Sequence, residues 1–303
     1  MNEGLTLREY QEQAIRTDRI DGKSIQSLMV HLLGLAGEAG SLLSEYKKWI
    51  REGERYKPFT DQVSEEIGDI LWYLAAISSR AGLDLQEVAH ENLAKLADRW
   101  PAGDTSALLF GEEYDRYDAS FPGNEQLPRT IRLEFKEVEH EAGAKLEIRD
   151  ESGELIGDPL TDNAHSNDGY RFHDVFHFAN AINLGWSPVI RSLLRRKRKS
   201  VPQVDEVEDG ARAAITEEAI SVAVFAHAKE HSFFEGMDSV DYELLRIIQL
   251  MTRPFEVRDR SLRDWEHSIL EGYKIWRSMN KNNGGILVGD AGSRTISYEP
   301  LTK

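Results

Sequence analysis

Gly34-Leu-Ala-Gly-Glu-Ala-Gly-Ser41 and, further along, Glu65-Glu-Ile-Gly-Asp69 are the two stretches from which the fold of this chain can be read. Each lies in a helical spacing of apolar residues. Leu28, Leu32, Leu35, Leu42 and Leu43 surround the first, and Ile67, Ile70, Leu71, Leu74 and Ile77 surround the second. Each also sets carboxylates among leucine, isoleucine and tryptophan, where a bare negative charge is costly unless something compensates it. Glu66 and Asp69, three residues apart, share one helix face. Two such helices packed antiparallel would bring Glu38 to the same point. A hard divalent cation with oxygen ligands is the natural compensation, and Mg²⁺ typically keeps waters and takes further ligands from a phosphate.

Working outward, helical spacing extends over residues 5–19, 24–52 and 61–80, and from Asp84 to just before Pro101, with Gly53, Pro58 and Gly82 as breaks. Short connections predict an N-terminal all-α four-helix bundle over residues 1–102. The pattern then fades, and 103–128 reads as a linker. Ile131, Leu133, Phe135 and Val138 alternate before a turn at Gly143, followed by Leu146 and Ile148. This predicts an antiparallel hairpin within 129–158, and the tail 284–300 predicts another. A lone hairpin is marginal in water, so the two are expected to pair into one small sheet. Between them, helices fall in 168–280: residues 170–184, one opened by Ser187-Pro188, then 206–230, 238–252 and 260–280. The expected fold is mainly α, with a C-terminal α+β region (129–303) containing a second helical unit and a small antiparallel sheet.

With 303 residues, 40% of them hydrophobic and 30% charged, the chain can bury a sizeable core and split into domains. The absence of cysteine excludes disulfides and thiolate metal sites. Neither a secretory signal nor an apolar run of bilayer length is evident, which points to a cytoplasmic protein. A net charge of −16 argues against a nucleic-acid binder and would repel nucleotide phosphates unless a metal or a basic cluster reversed the field. Lys47 and Lys48 follow the Glu38 segment, and Arg195-Arg-Lys-Arg-Lys199 forms a compact basic run that reads as a solvated helix end or a phosphate contact.

Residues 24–101 resemble the MazG family of all-α nucleoside triphosphate pyrophosphohydrolases. The resemblance rests on His31-Leu-Leu-Gly-Leu-Ala-Gly-Glu-Ala-Gly-Ser-Leu-Leu43, on Glu65-Glu-Ile-Gly-Asp-Ile-Leu-Trp-Tyr-Leu-Ala-Ala76, and on Gly82-Leu-Asp-Leu and Asn92-Leu-Ala-Lys-Leu-Ala-Asp-Arg-Trp-Pro101. The family signature is ExxE, a gap, then ExxD. Glu38 fills its first position and Glu66 and Asp69 its last two, while Ser41 stands where a second glutamate is expected. A serine can hold a metal-bound water but supplies no charge. Glu45, two turns beyond Glu38, is the substitute on the same face. The resemblance implies hydrolysis between the α and β phosphates of a nucleoside triphosphate by a homodimer. Mg²⁺, with Mn²⁺ as an alternative, would be held by Glu38, Glu66, Asp69 and Glu45, with Glu65 holding the attacking water. Lys48, Lys95 and Arg99 would neutralise the leaving pyrophosphate, Asn92 would contact phosphate, and Trp49 and Tyr73 would contact the base. Each has a plainer role open to it: Glu65 as a helix-face solvator, Trp49 and Tyr73 as core or interface aromatics, and Lys95 and Arg99 as partners of a helix dipole.

In the second half, His173-Asp-Val-Phe-His177 sets two imidazoles at i and i+4, and Glu217-Glu218 opens an acidic turn on the 206–230 segment. Together with Asp174 these residues offer a second metal or phosphate site, or a set of half-buried polar groups pairing across helices. This part also resembles the C-terminal extension of MazG-like proteins, a resemblance that implies no role. Two other functions stay open. The missing second glutamate fits a nucleotide-sensing protein without efficient turnover. Phosphoribosyl-ATP pyrophosphatase is a relative of the same group, although its reaction leaves the long extension without a place.

Overall fold

The computed structural model of the chain describes residues 4–20, 24–99, 116–140 and 143–301. It divides into two units, residues 1–97 and 98–303.

The N-terminal unit is helical. Thr6 and Glu9 form a reciprocal cap that starts α1 (Leu7–Ile15). Ser24 caps α2 (Ile25–Glu52), whose C-terminal stop is Gly53 at φ 60°. Gly82, left-handed at φ 71°, ends α3 (Phe59–Ala81). Asp84 then accepts the Gln86 and Glu87 amides as α4 (Leu85–Arg99) begins. α2 and α3 pack along each other, and α1 lies on α3. The shared core is small: Ala14, Ala75 and Leu85, with Leu7, Tyr10, Leu71 and Trp72 packed against it.

Much of the apolar stripe expected inside is therefore outside. Leu43 is 70% exposed and Ile50 76%, and Leu32, Leu33, Ile67 and Leu74 are exposed as well. The helices carry a broader apolar surface than three neighbours can cover. One consequence corrects the reading that nothing here is of bilayer length. By length and composition alone, the Ile25–Arg55 segment is apolar enough to cross a membrane, because Gly, Ala and Ser around Glu38 interrupt the leucine run without adding charge.

The C-terminal unit is built on one antiparallel sheet in the order β2-β1-β3-β4, with β1 Thr130–His140, β2 Gly143–Arg149, β3 Gly284–Asp290 and β4 Thr295–Glu299. The two hairpins join through β1 and β3, where Leu133 faces Leu287. Alternation puts Leu133, Phe135, Leu146, Ile148, Leu287 and Ile296 inside. Against this sheet lie α5 (Asp174–Asn183) and α10 (Leu262–Asn282). All ten residues of α5 are buried. Gly272 on α10 permits the close approach, since a Cβ there would sit 3.3 Å from the Ala179 Cβ. α6 (Pro188–Leu193), α7 (Pro202–Val207), α8 (Ala211–Glu230) and α9 (Tyr242–Thr252) complete the unit.

Several sequence-based boundaries shift. The expected 206–230 helix is two helices, because the chain breaks at Asp209-Gly210 so that the buried Asp209 can receive Arg198 at 2.8 Å. Residues 116–128 are no linker. Asp118 accepts the Leu127 amide and pairs with Arg129 and Arg191, and Arg191 also donates to the Glu125 carbonyl at 2.9 Å. Within the basic run, Arg198 is fully buried between Asp209 and Glu256 and is neither a solvated end nor a phosphate contact. Buried arginines survive only when paired in this way.

Candidate functional site

Among the described residues, two groups of His, Asp and Glu side chains bring ligand atoms within 4.8 Å of one another: Glu38 with Glu66 and Asp69, and His173 with His177 and Glu218. The first arises where α2 and α3 run side by side. Glu38 and Glu66 are half-buried and Asp69 is exposed. Burial, followed by the charges of Glu38, Asp69 and Glu45, pushes the Glu66 carboxyl above its ordinary range. An uncompensated negative field of this kind suits a divalent cation with oxygen ligands.

Close contact of the two helices depends on Gly34, one turn before Glu38. A Cβ there would meet the Tyr73 ring at 2.3 Å. Tyr73 therefore fills the space beside Gly34, edge-on to Trp72 and to the buried His31. His31 is held by the Ser27 carbonyl at 2.8 Å and by Asp18 at 3.2 Å, which locks α2 to the segment after α1. Tyr10 of α1 packs against the small core beside Leu71 and Trp72, where burial, and after it Asp69's charge, raises its hydroxyl pKa. Only its apolar spacing on α1 was readable in sequence, and nothing there linked it to Asp69.

The other expected site residues are placed as follows. Glu45 is buried and does not join the three carboxylates; Lys48 at 2.5 Å and the Tyr56 hydroxyl occupy it and hold its pKa down. It is thus an ion-pair partner rather than a fourth ligand, and Lys48 is committed to it rather than free for pyrophosphate. Glu65 is exposed, accepts from Gln62 at 3.3 Å and stands outside the cluster. Trp49 is 45% exposed and stacks on Phe59 with ring centroids 5.4 Å apart, beside Tyr46 and Tyr56. Ser41 is half-buried on α2, and Asn92 is exposed on α4. The side chains of Lys95 and Arg99 lie outside the described residues.

In the second group, His177 is fully buried between Glu217 (3.0 Å from Nδ1) and Glu218 (3.5 Å from Nε2). Burial would lower its pKa, but the two glutamates outweigh that and push it up to about 10. Glu217 also takes the Ser187 hydroxyl and the Val189 amide, each at 3.0 Å, and so ties α8 to the start of α6. Burial pushes the Asp174 carboxyl up.

Residues 24–103 match the MazG nucleotide pyrophosphohydrolase domain, and residues 112–302 match the MazG C-terminal domain. The chain belongs to the MazG family. A stretch of 85 residues is 34% identical to the Gene 37 protein of Mycobacterium phage L5, spanning 27% of this chain and 75% of that protein. No solved structure matches. The first carboxylate group falls inside the pyrophosphohydrolase match, and the histidine group falls inside the MazG C-terminal match.

Proposed function

We propose that this MazG-family chain hydrolyses nucleoside triphosphates, ribo or deoxyribo, to the monophosphate and pyrophosphate in a Mg²⁺-dependent reaction, with Mn²⁺ as a substitute. The observation that carries the reading is the convergence of Glu38, Glu66 and Asp69 from two helices, where burial and then the neighbouring carboxylates raise the Glu66 pKa. Mg²⁺ held by these three would screen the triphosphate charge and polarise the phosphorus under attack. Glu65, exposed and next to Glu66 in the chain, would orient a water and take its proton as the water oxygen attacks phosphorus of the α–β anhydride and the bridging P–O bond breaks, releasing monophosphate and pyrophosphate. The half-exposed Trp49 on Phe59 offers a stacking face for the base. Exposed apolar residues on α2 and α3 support a homodimer, whose second copy would cover Leu33, Leu43 and Ile50.

The test is incubation with a panel of NTPs and dNTPs plus Mg²⁺, with phosphate products resolved by chromatography. Monophosphate and pyrophosphate should appear in equal amounts and fall to background with Glu66→Gln. Release of orthophosphate instead, or equal rates in that variant, would overturn the reading.

One observation favours a second function. With Ser41 in the ExxE position and Glu45 taken by Lys48 and Tyr56, the cluster among the described residues has three carboxylates and no fourth. A nucleotide sensor that binds without turnover would have such a site. It would retain triphosphate in equilibrium dialysis while releasing no pyrophosphate.

A further inference from the structure

We infer that the C-terminal unit carries a second metal site, distinct in chemistry from the carboxylate cluster, in which His173, His177 and Glu218 bind a divalent transition metal of the Zn²⁺ class. The first observation is convergence: ligand atoms of the three lie within 4.8 Å of one another, although they come from α8, from α5 and from the residue just before α5. The i, i+4 spacing of the histidines turns both rings to one face.

The second observation is how the rings are held. A histidine that binds metal through one nitrogen almost always gives its other N–H to a carbonyl or carboxylate, which fixes tautomer and orientation. His173 has that support, and a carboxylate stands beside His177. His173 Nδ1 meets the Tyr170 carbonyl at 2.8 Å, with the Tyr170 ring stacked on it 4.5 Å away. His177 Nδ1 lies 3.0 Å from Glu217, itself anchored by Ser187 and Val189. Each Nε2 has a carboxylate oxygen beside it, Asp174 for His173 and Glu218 for His177.

The third observation is an unmet need. His177 is completely buried, and neither ring nitrogen has a hydrogen-bond partner; the carboxylates beside it are Glu217, 3.0 Å from Nδ1, and Glu218, 3.5 Å from Nε2. His173 Nε2 faces a carboxylate oxygen of Asp174 at 3.3 Å. Three carboxylates therefore surround two imidazoles. Two nitrogens and one carboxylate are a donor set for Zn²⁺ and its neighbours in the first transition row, whereas Mg²⁺ prefers oxygen alone. Three protein ligands would leave room for a water or substrate oxygen on such a metal, and Glu218 is the solvent-exposed member of the set.

The experiment uses the full chain stripped with chelator and reloaded with Zn²⁺ alone, in a Glu66→Gln, Asp69→Asn background so that the N-terminal cluster does not contribute. After dialysis, elemental analysis should find one equivalent of zinc, and X-ray absorption should show imidazole scattering from two histidines. His173→Gln and Glu218→Gln, both at positions short of full burial, should weaken zinc affinity by more than the roughly 10- to 100-fold that loss of an outer supporting group costs, with circular dichroism unchanged. The inference is overturned if the background variant retains no zinc, or if its absorption spectrum lacks imidazole. Unchanged affinity in the two single variants would overturn it equally. The absorption measurement needs neither variant, so a substitution that unfolds the chain leaves the question decided.

Discussion

Ser41 stands one turn of α2 beyond Glu38, at the position where the family motif carries a glutamate, and it is half-buried. Ser41→Glu should add a fourth carboxylate to the cluster and lower the Mg²⁺ concentration needed for half-maximal turnover, by about tenfold or more if it acts as a ligand. A metal titration with the same or a higher midpoint would mean that position 41 faces elsewhere. In the other unit, Asp118 is the residue to test. Burial would raise its pKa, but the Leu127 amide, Arg129 and Arg191 outweigh burial and hold it below the ordinary value. A carboxyl depressed in the fold gives its full stabilisation above the unfolded value of about 3.9 and loses it as pH falls through the folded one. Acid unfolding of the wild type should therefore show a slope below about pH 4 that Asp118→Asn lacks. At neutral pH that variant should cost about 3–5 kcal/mol, because Arg191 is left buried with one partner fewer. A denaturant midpoint within error of wild type would remove Asp118 from this role. Sequence identified Glu38, Glu66 and Asp69, because charge in an apolar helix demands an explanation. It missed that Glu45 is claimed by Tyr56, since that contact joins two segments through a bend that no periodicity describes.

At the scale of the element, α2 and α3 are legible because long apolar periodicity and glycine stops leave few alternatives, and Ser24 and Gly82 mark their ends. Short helices are harder. α6 and α7 have six residues each, too few to show a period, and only Pro188 and Pro202 at their starts announce them. The approach of α2 to α3 yields a sharp prediction. Gly34→Ala removes a helix-weakening glycine, worth up to about 1 kcal/mol in isolation. The new methyl, however, would fall on the Tyr73 ring, and overpacking of that kind costs about 1–3 kcal/mol. The net expectation is a lower thermal midpoint together with weaker metal binding, as α2 is displaced next to Glu38. Gly34→Ala with Tyr73→Leu should recover part of both. A stabilised single variant would show that the ring swings aside at no cost.

For the whole molecule, the contrast lies between a C-terminal unit with an extensive interior and an N-terminal unit whose apolar stripe faces out. Sequence could not reveal this, because the same heptad-like spacing serves an internal core and a surface that awaits a partner. If a second copy covers that surface, Leu43→Glu and Ile50→Glu should halve the mass measured by light scattering and lower stability in a concentration-dependent manner. A wild type that already travels as a monomer would refute the pairing. α5, with no residue at the surface, packs against both the sheet and α10. Water can reach its amides only when the packing around them comes apart, so their protons should be among the last in the chain to be replaced by deuterium, at a rate set by global opening. An extended labelling series read by mass spectrometry would then find peptides from 174–183 still protonated after the ends of α2 have fully exchanged, a persistent internal clock for the unfolding of the whole C-terminal unit.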